Sequence, residues 1–137
     1  MNILTTIGHV NWLSVLVAAV TAFAIGSLWY SPVLFSKIWQ KEINLTNDDL
    51  KGANMPLIFG TSFVLEFIAA VVLDMFIGPE GTLASGITMG ILVSLGWVAT
   101  SIGTNYLFGR KSFKLFAIDA GYFVVFFTAM GAILGAW

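Results

Sequence analysis

The sequence predicts an all-α membrane protein in which four helices cross the bilayer. Of the 137 residues, 58% are hydrophobic and 9% are charged, against roughly a quarter charged in an ordinary soluble domain. The apolar residues form four long blocks, whereas the core of a soluble protein shows short periodic runs. We therefore expect a single four-helix transmembrane domain over residues 1–137, with the lipid bilayer as its first partner.

Composition also excludes several classes of function. The net charge is -1, which leaves no basic surface for nucleic acid. The sequence has no Cys, so disulfide and thiolate chemistry are ruled out. It has no Gly-rich phosphate loop, HExxH or GxSxG motif, and its one His, His9, cannot alone form a metal site or a catalytic triad. We expect no enzyme activity, no cofactor and no metal site.

The first predicted span covers about 10–30. The stretch 12–32 carries no charged side chain and would be about 30 Å long as a helix. No Lys or Arg precedes it, and it is about twice as long as the apolar region of a signal peptide, so we expect it to be retained. It ends in the interfacial aromatics Trp29 and Tyr30, followed by Ser31 and the helix-stopping Pro32.

Residues 33–55 form the longest polar connection. Apolar and polar side chains alternate with helical period over about 33–43, which predicts a short helix lying in the membrane interface. Thr46 precedes three side chains typical of a first helical turn, so a second short helix is expected over about 47–52. A calcium loop is the alternative, but the alternating spacing of oxygen ligands that such loops use is absent.

The remaining three spans are predicted at about 56–77, 83–104 and 115–136. The second begins at Pro56, a residue favoured in the first helical turn. A turn-forming stretch, 78–81, separates it from the third. The connection 105–114 is rich in basic residues and precedes the fourth.

Small residues recur at four-residue spacing in three of the spans. Such a stripe lets another helix backbone approach closely. The alternative is that Ala and Gly are simply common in membrane helices. The residues are Ser14, Ala18, Ala22 and Gly26 in the first span, Gly86 and Gly90 in the third, and Gly131 and Gly135 in the fourth.

All six basic residues lie in two connections, three in 33–55 and three in 105–114. In a four-span chain these two connections are on the same side of the membrane. Positive charge favours the cytoplasmic side. We therefore expect a multi-pass protein of the cytoplasmic membrane with both connections in the cytoplasm and both termini outside.

Glu66 is the first candidate for a functional residue. It lies near the midplane of the second span, where a charge costs several kcal/mol unless it is paired, solvated or neutralised. No Lys or Arg lies in any span, and residues at matching depth nominate Thr21, Ser94 or Thr128 as its partner. A proton or cation relay is one interpretation; a helix-joining hydrogen bond, or an acid lining a wet crevice, is the other.

Asp119 is the second candidate, near the start of the fourth span. Matching depth predicts a layer of polar and aromatic groups around it, which is either a small binding pocket or an aromatic belt with a helix cap. Asp74, near Glu80 at the outer interface, is expected to be solvated. The predicted layer comprises Trp29, Tyr30, Ser31, Asn105 and Tyr106.

The sequence resembles the small bacterial four-span proteins grouped as domain of unknown function 1761. The resemblance covers nearly the whole chain and implies a four-helix integral membrane fold without an assigned activity. It rests on the opening residues Asn11, Trp12, Ala19, Phe23, Gly26, 29–32, Phe35 and Trp39, and on the later segments 96–100, 104–105, 107–108, 114–116, 119–122 and 130–135.

Two functions remain open from the sequence. In the first, several copies pack through the small-residue stripes and Glu66 lines a route for a proton, a cation or a small solute. In the second, the protein is a non-catalytic accessory or assembly protein, and the same stripes contact helices of another membrane protein. A membrane enzyme is the least favoured interpretation.

Overall fold

The computed structural model describes residues 2–137 and contains helices and no strands in that range. Four helical spans are long and apolar enough to cross a membrane, which confirms the predicted fold. The helices are α1 (Ile3–Ile7), α2 (Trp12–Trp29), α3 (Ser36–Ile43), α4 (Asn47–Lys51), α5 (Met55–Ile77), α6 (Leu83–Val93), α7 (Thr100–Phe108) and α8 (Phe113–Ala136). A π-helical turn, Ser94–Ala99, joins α6 to α7, so that the third span runs continuously over Leu83–Phe108.

Side-chain caps fix where the spans begin. The Oδ1 of Asn11 accepts hydrogen bonds from the N–H groups of the first turn of α2, and Ser112 does the same for α8. These caps place the helix starts at 12 and 113 instead of the predicted 10 and 115, because a cap satisfies N–H groups that the helix itself leaves unpaired. Thr46 and Asp49 form the expected reciprocal cap of α4.

Three other boundaries differ from the prediction. The third span continues to Phe108 instead of ending near 104, because no helix-breaking residue intervenes before Gly109 and Arg110, whose φ is 54°. The interfacial helix begins at Ser36 instead of 33, since residues 31–35 form the turn that follows Pro32. The short helix α1, which Asn2 caps, was not predicted from the sequence.

α8 is the central helix and packs against α2, α5 and α6. Its buried side chains, including Phe126 and Met130, meet Val15 of α2 and Leu73 of α5 in one apolar core. α5 is peripheral, since Ala70 and Leu73 are its buried residues. The outer faces of the spans are apolar, as a lipid-facing surface must be.

The glycine stripes of α6 and α8 pack against each other. A Cβ on Gly86 would lie 2.0 Å from the carbonyl oxygen of Gly131, and one on Gly135 would lie 3.0 Å from the Cα of Gly86. A Cβ on Gly90 would lie 2.2 Å from the carbonyl oxygen of Phe127. The two backbones are therefore in contact, an approach that only Gly permits.

The stripe of α2 also faces inward. Ser14, Ala18 and Ala22 are fully buried, and Gly26 lies under Tyr122 of α8. The small residues that we expected to join separate copies are thus occupied within one chain. The short connection 109–112 makes α8 follow the third span directly, and consecutive helices usually pack side by side.

Candidate functional site

Asp119 lies between two tyrosine side chains near the start of α8. The Oη of Tyr30 donates to its Oδ1 at 2.7 Å, and the Oη of Tyr106 donates to its Oδ2 at 2.5 Å. Tyr30 follows the last residue of α2, and Tyr106 lies in the last turn of α7. One carboxyl group therefore ties the ends of three spans together through two hydroxyl groups.

The environment of Tyr30 keeps its hydroxyl protonated. Burial raises the pKa of Tyr30 far above its ordinary value near 10, and the hydrogen bond to Asp119 and the negative charge of that group raise it further. The hydroxyl is therefore a donor at every physiological pH. The ring of Trp39, from α3, packs edge-on against Tyr30 with centroids 5.5 Å apart and covers it.

Trp29 fixes α2 to the same turn of α8. Its Nε1 donates to the backbone oxygen of Ile118 at 3.0 Å, and its ring packs against Phe35 with centroids 4.8 Å apart. Gly121 lies against the indole ring, since a Cβ there would be 3.4 Å from it, an ordinary van der Waals contact. Trp29 acts as a structural anchor beside Asp119.

Two residues of the predicted layer lie apart from the Asp119 hydrogen bonds. The Oγ of Ser31 donates to the backbone oxygen of Leu28 at 2.7 Å, at the end of α2. Asn105 is exposed, and its backbone oxygen accepts the N–H of Gly109. The layer is thus narrower than residue depth alone suggested, because depth does not specify which way a side chain points.

Glu66 meets Tyr122, a partner that the sequence analysis missed. The Oη of Tyr122 donates to Glu66 Oε1 at 3.2 Å. The nominated partners were wrong: Thr21 and Ser94 donate to backbone oxygens of their own helices at 2.8 and 3.0 Å, as short hydroxyl side chains in helices commonly do. The Oγ1 of Thr128, a partly buried residue, has no hydrogen-bond partner among the described residues.

The second carboxyl oxygen of Glu66 is unusual. Oε2 is buried and has no hydrogen-bond partner within residues 2–137. A buried polar atom without a partner costs about 1–3 kcal/mol, so retaining one near the midplane of a span suggests a use for it. The carboxyl group has an unused site for a proton or a hydrogen bond.

The two carboxyl groups belong to one cluster. The rings of Tyr30 and Tyr122 meet edge to face with centroids 5.4 Å apart. We define Glu66, Tyr122, Tyr30, Asp119 and Tyr106 as the tyrosine–carboxylate cluster. Tyr122 could have been found from the sequence, because it lies three residues after Asp119 and so shares its helix face.

Two cavities lie away from the tyrosine–carboxylate cluster. A crevice of about 400 Å³ opens at the opposite end of the bundle and includes Asp74. A shallow apolar groove between α6 and α8 includes Thr128. The tyrosine–carboxylate cluster borders neither, and within residues 2–137 no group of three or more His, Cys, Asp or Glu side chains is placed to hold a metal ion.

Asp74 differs from the expectation that it is simply solvated. It is half-buried in the crevice, and its Oδ2 accepts the backbone N–H of Asn11 at 3.2 Å. His9 lies in the wall of the same crevice. The difference arises because Asn11, which precedes α2, lies against the end of α5, a contact that depth along a span does not predict.

The four apolar spans and their buried polar cluster define a multi-pass helical membrane protein. The family model described as "Protein of unknown function (DUF1761)" matches residues 13–135, and the chain belongs to that family. The match confirms the resemblance found in the sequence. The search of curated proteins and the search of solved structures returned no significant match.

Proposed function

We propose that the protein passes protons into and across the membrane through the tyrosine–carboxylate cluster, with Glu66 as the midplane acceptor. The observation that carries the proposal is the Glu66 carboxyl group itself, which accepts from Tyr122 on one oxygen and has the other buried and unpartnered. Ionisable groups inside spans are expensive, and proton relays are among their known uses.

The cluster is arranged along the membrane normal. Asp119 lies six residues after the start of α8, about 9 Å from that end, while Glu66 lies about 16 Å along α5. Tyr30 and Tyr122 lie between the two carboxyl groups. Tyrosine hydroxyls both donate and accept. A proton entering at Asp119 reaches Glu66 when the hydroxyl groups of Tyr30 and Tyr122, whose rings are in contact, turn from their carboxyl partners toward each other.

Packing favours a proton over a larger solute. The space among the cluster residues is filled by aromatic rings, with Tyr122 packed at centroid distances of 4.9–5.5 Å against Phe123, Tyr30 and Phe126. An organic solute would need a cavity of several hundred Å³. A proton needs none.

A contact between copies needs a surface that the chain does not itself occupy, and α5 offers one on the side away from Glu66. Beyond Glu66, α5 buries the apolar Ala70 and Leu73 within the chain. The outer face of α5 exposes Val64 and Ile68, and a Cβ on Gly60 would have nothing within 4 Å. We place the contact of a homo-oligomer on this face, which the glycine pairs of α6 and α8 leave free.

We also propose that the cluster end faces the cytoplasm. Ser112 Oγ donates to Glu42 Oε2 at 2.6 Å, which ties α3 to the connection before α8. The connections that carry all six Lys and Arg residues therefore lie at one end of the bundle. The positive-inside bias favours the cytoplasm of a bacterial inner membrane for that end.

Proton flux into liposomes tests the proposal. The purified protein is reconstituted with an internal pH-sensitive dye, and a potassium gradient with valinomycin provides the driving potential. We expect proton flux from the natural sequence. Glu66→Gln should lower the rate of that flux at least about tenfold, and Tyr122→Phe should lower it less. The matched control is Glu80→Gln, which removes the same charge from an exposed turn. No flux from the natural sequence, or equal flux from Glu66→Gln, overturns the proposal.

The second candidate is an accessory protein that contacts another membrane protein. The exposed face of α5 favours it as much as it favours a homo-oligomer. Crosslinking from Val64→Cys in native membranes separates the two. Self-crosslinks with proton flux support passage, while crosslinks to a different protein without flux support the accessory role.

A further inference from the structure

The crevice at the outer end of the bundle is built from different elements than the tyrosine–carboxylate cluster. Its volume is about 400 Å³, within the range of small-ligand sites. Three parts of the chain contribute to its wall: α1 and the segment after it, the end of α5 with the following turn, and Trp137. Its wall includes the polar side chains of Thr5, Thr6, His9 and Asp74.

Asp74 provides a carboxyl group that has no Lys or Arg beside it at this end of the bundle among residues 2–137. Within residues 2–137 the structure has one ion pair, Lys51 with Asp48, at the opposite end of the bundle. All six Lys and Arg residues lie at that opposite end. The hydrogen bond that Asp74 accepts from the backbone N–H of Asn11 uses Oδ2. Oδ1 is therefore available to a ligand that brings a positive charge.

The other walls favour a cation that carries N–H groups. The hydroxyl of Thr6 donates to the backbone oxygen of Asn2 at 2.8 Å, which leaves its lone pairs free to accept. Thr5 and His9 add further acceptors. The indole of Trp137 is favourable for a cation of any type. A metal ion fits poorly, because the described residues offer no set of three ligating side chains here.

The depth of Asp74 along α5 indicates where such a cation comes from. Asp74 lies three residues before the last residue of α5, about 5 Å from the helix end. In a bilayer with a hydrocarbon core about 30 Å thick, that depth is close to the headgroup layer. We propose that the crevice binds a primary ammonium group, with Asp74 as counter-ion and the threonine hydroxyls and His9 as acceptors. The source is an ethanolamine lipid headgroup or a free primary amine.

Native mass spectrometry of the protein in nanodiscs of phosphatidylcholine doped with phosphatidylethanolamine tests this. We expect retention of phosphatidylethanolamine over phosphatidylcholine, and release by millimolar ethanolamine but not by choline. Asp74→Asn should weaken retention about tenfold or more, because a charge-assisted hydrogen bond is lost. Glu80→Gln is the matched control, since it removes the same charge outside the crevice.

The lipid and ethanolamine measurements together distinguish a lipid headgroup from a free amine as the source of the ammonium group. Binding of ethanolamine without lipid selectivity assigns a free amine, and lipid selectivity assigns the headgroup. Equal retention of the two lipids together with no ethanolamine binding overturns the proposal, as does unchanged selectivity in Asp74→Asn. Should Asp74→Asn fail to fold, Thr5→Val on exposed α1 should still weaken binding about threefold. Proton flux through Glu66 is measured separately and does not bear on this outcome.

Discussion

A Cβ atom on Gly26 of α2 would lie 2.8 Å from the Oη of Tyr122 on α8. The absence of a side chain at Gly26 is what allows Tyr122 to extend across the bundle to Glu66. The fourth member of the α2 stripe thus makes room for a hydroxyl group, while its neighbours Ala18 and Ala22 pack in the core.

Gly26→Ala should displace the Tyr122 side chain and break its hydrogen bond to Glu66. We expect a loss of about 1–3 kcal/mol in the free energy of unfolding, since the added methyl group meets a packed ring. Unfolding of the purified protein in mixed micelles with increasing SDS measures this. Gly96→Ala is the control, because a Cβ there meets nothing within 4 Å. An equal effect of the two substitutions would contradict the proposed role of Gly26.

Gly86→Ala should lower the free energy of unfolding more than Gly26→Ala does. Its Cβ would lie 2.0 Å from the Gly131 carbonyl oxygen, and a backbone atom cannot rotate away as a side chain can. We expect a loss of about 3 kcal/mol or more, measured by the same unfolding assay or seen as failure of the protein to accumulate in membranes. Gly96→Ala, in the same span with open space around it, should stay within about 1 kcal/mol of the natural sequence.

The stability of the protein should fall at alkaline pH through Tyr30. The pKa of Tyr30 is raised in the folded state, first by burial and then by Asp119. The stabilisation is complete below the unfolded value near 10 and declines as pH rises above it, because only the unfolded tyrosine then loses its proton. Tyr30→Phe should make the slope of unfolding free energy between pH 10 and 11 shallower by up to about 1.4 kcal/mol per pH unit. Identical slopes would show that Tyr30 ionises freely in the folded protein.

Cysteine labelling tests the proposed orientation cleanly, since the sequence contains no Cys. Lys41→Cys and Lys111→Cys should react with a membrane-impermeant maleimide only after the inner membrane is opened. Glu80→Cys should react in intact spheroplasts. Labelling of Lys41→Cys and Lys111→Cys from different sides would refute the four-span topology, and a reversed pattern would refute only the orientation.

The tyrosine–carboxylate cluster shows which side-chain contacts can be predicted from the depth of residues along their spans. Depth placed Tyr30, Tyr106 and Asp119 in one layer, and their side chains do meet. Depth also nominated hydroxyl partners for Glu66, and there it failed, because Thr21 and Ser94 satisfy their hydroxyl groups on their own helices. The difference lies in reach, since a tyrosine crosses between helices while a serine or threonine seldom does.

The sequence by itself determined the four spans, their order and the end at which the basic residues gather. Each is a local property: about 20 apolar residues must cover a bilayer wherever they occur, and a charged side chain must stay outside it. Which helix faces meet was decided only by the tertiary structure. Tyr122 and Glu66 are 56 residues apart in the chain, and their contact depends on the rotation of α5 and α8 about their axes. That rotation is set by how closely the glycine and alanine surfaces pack, a sum of contacts over the whole bundle that no single stretch encodes.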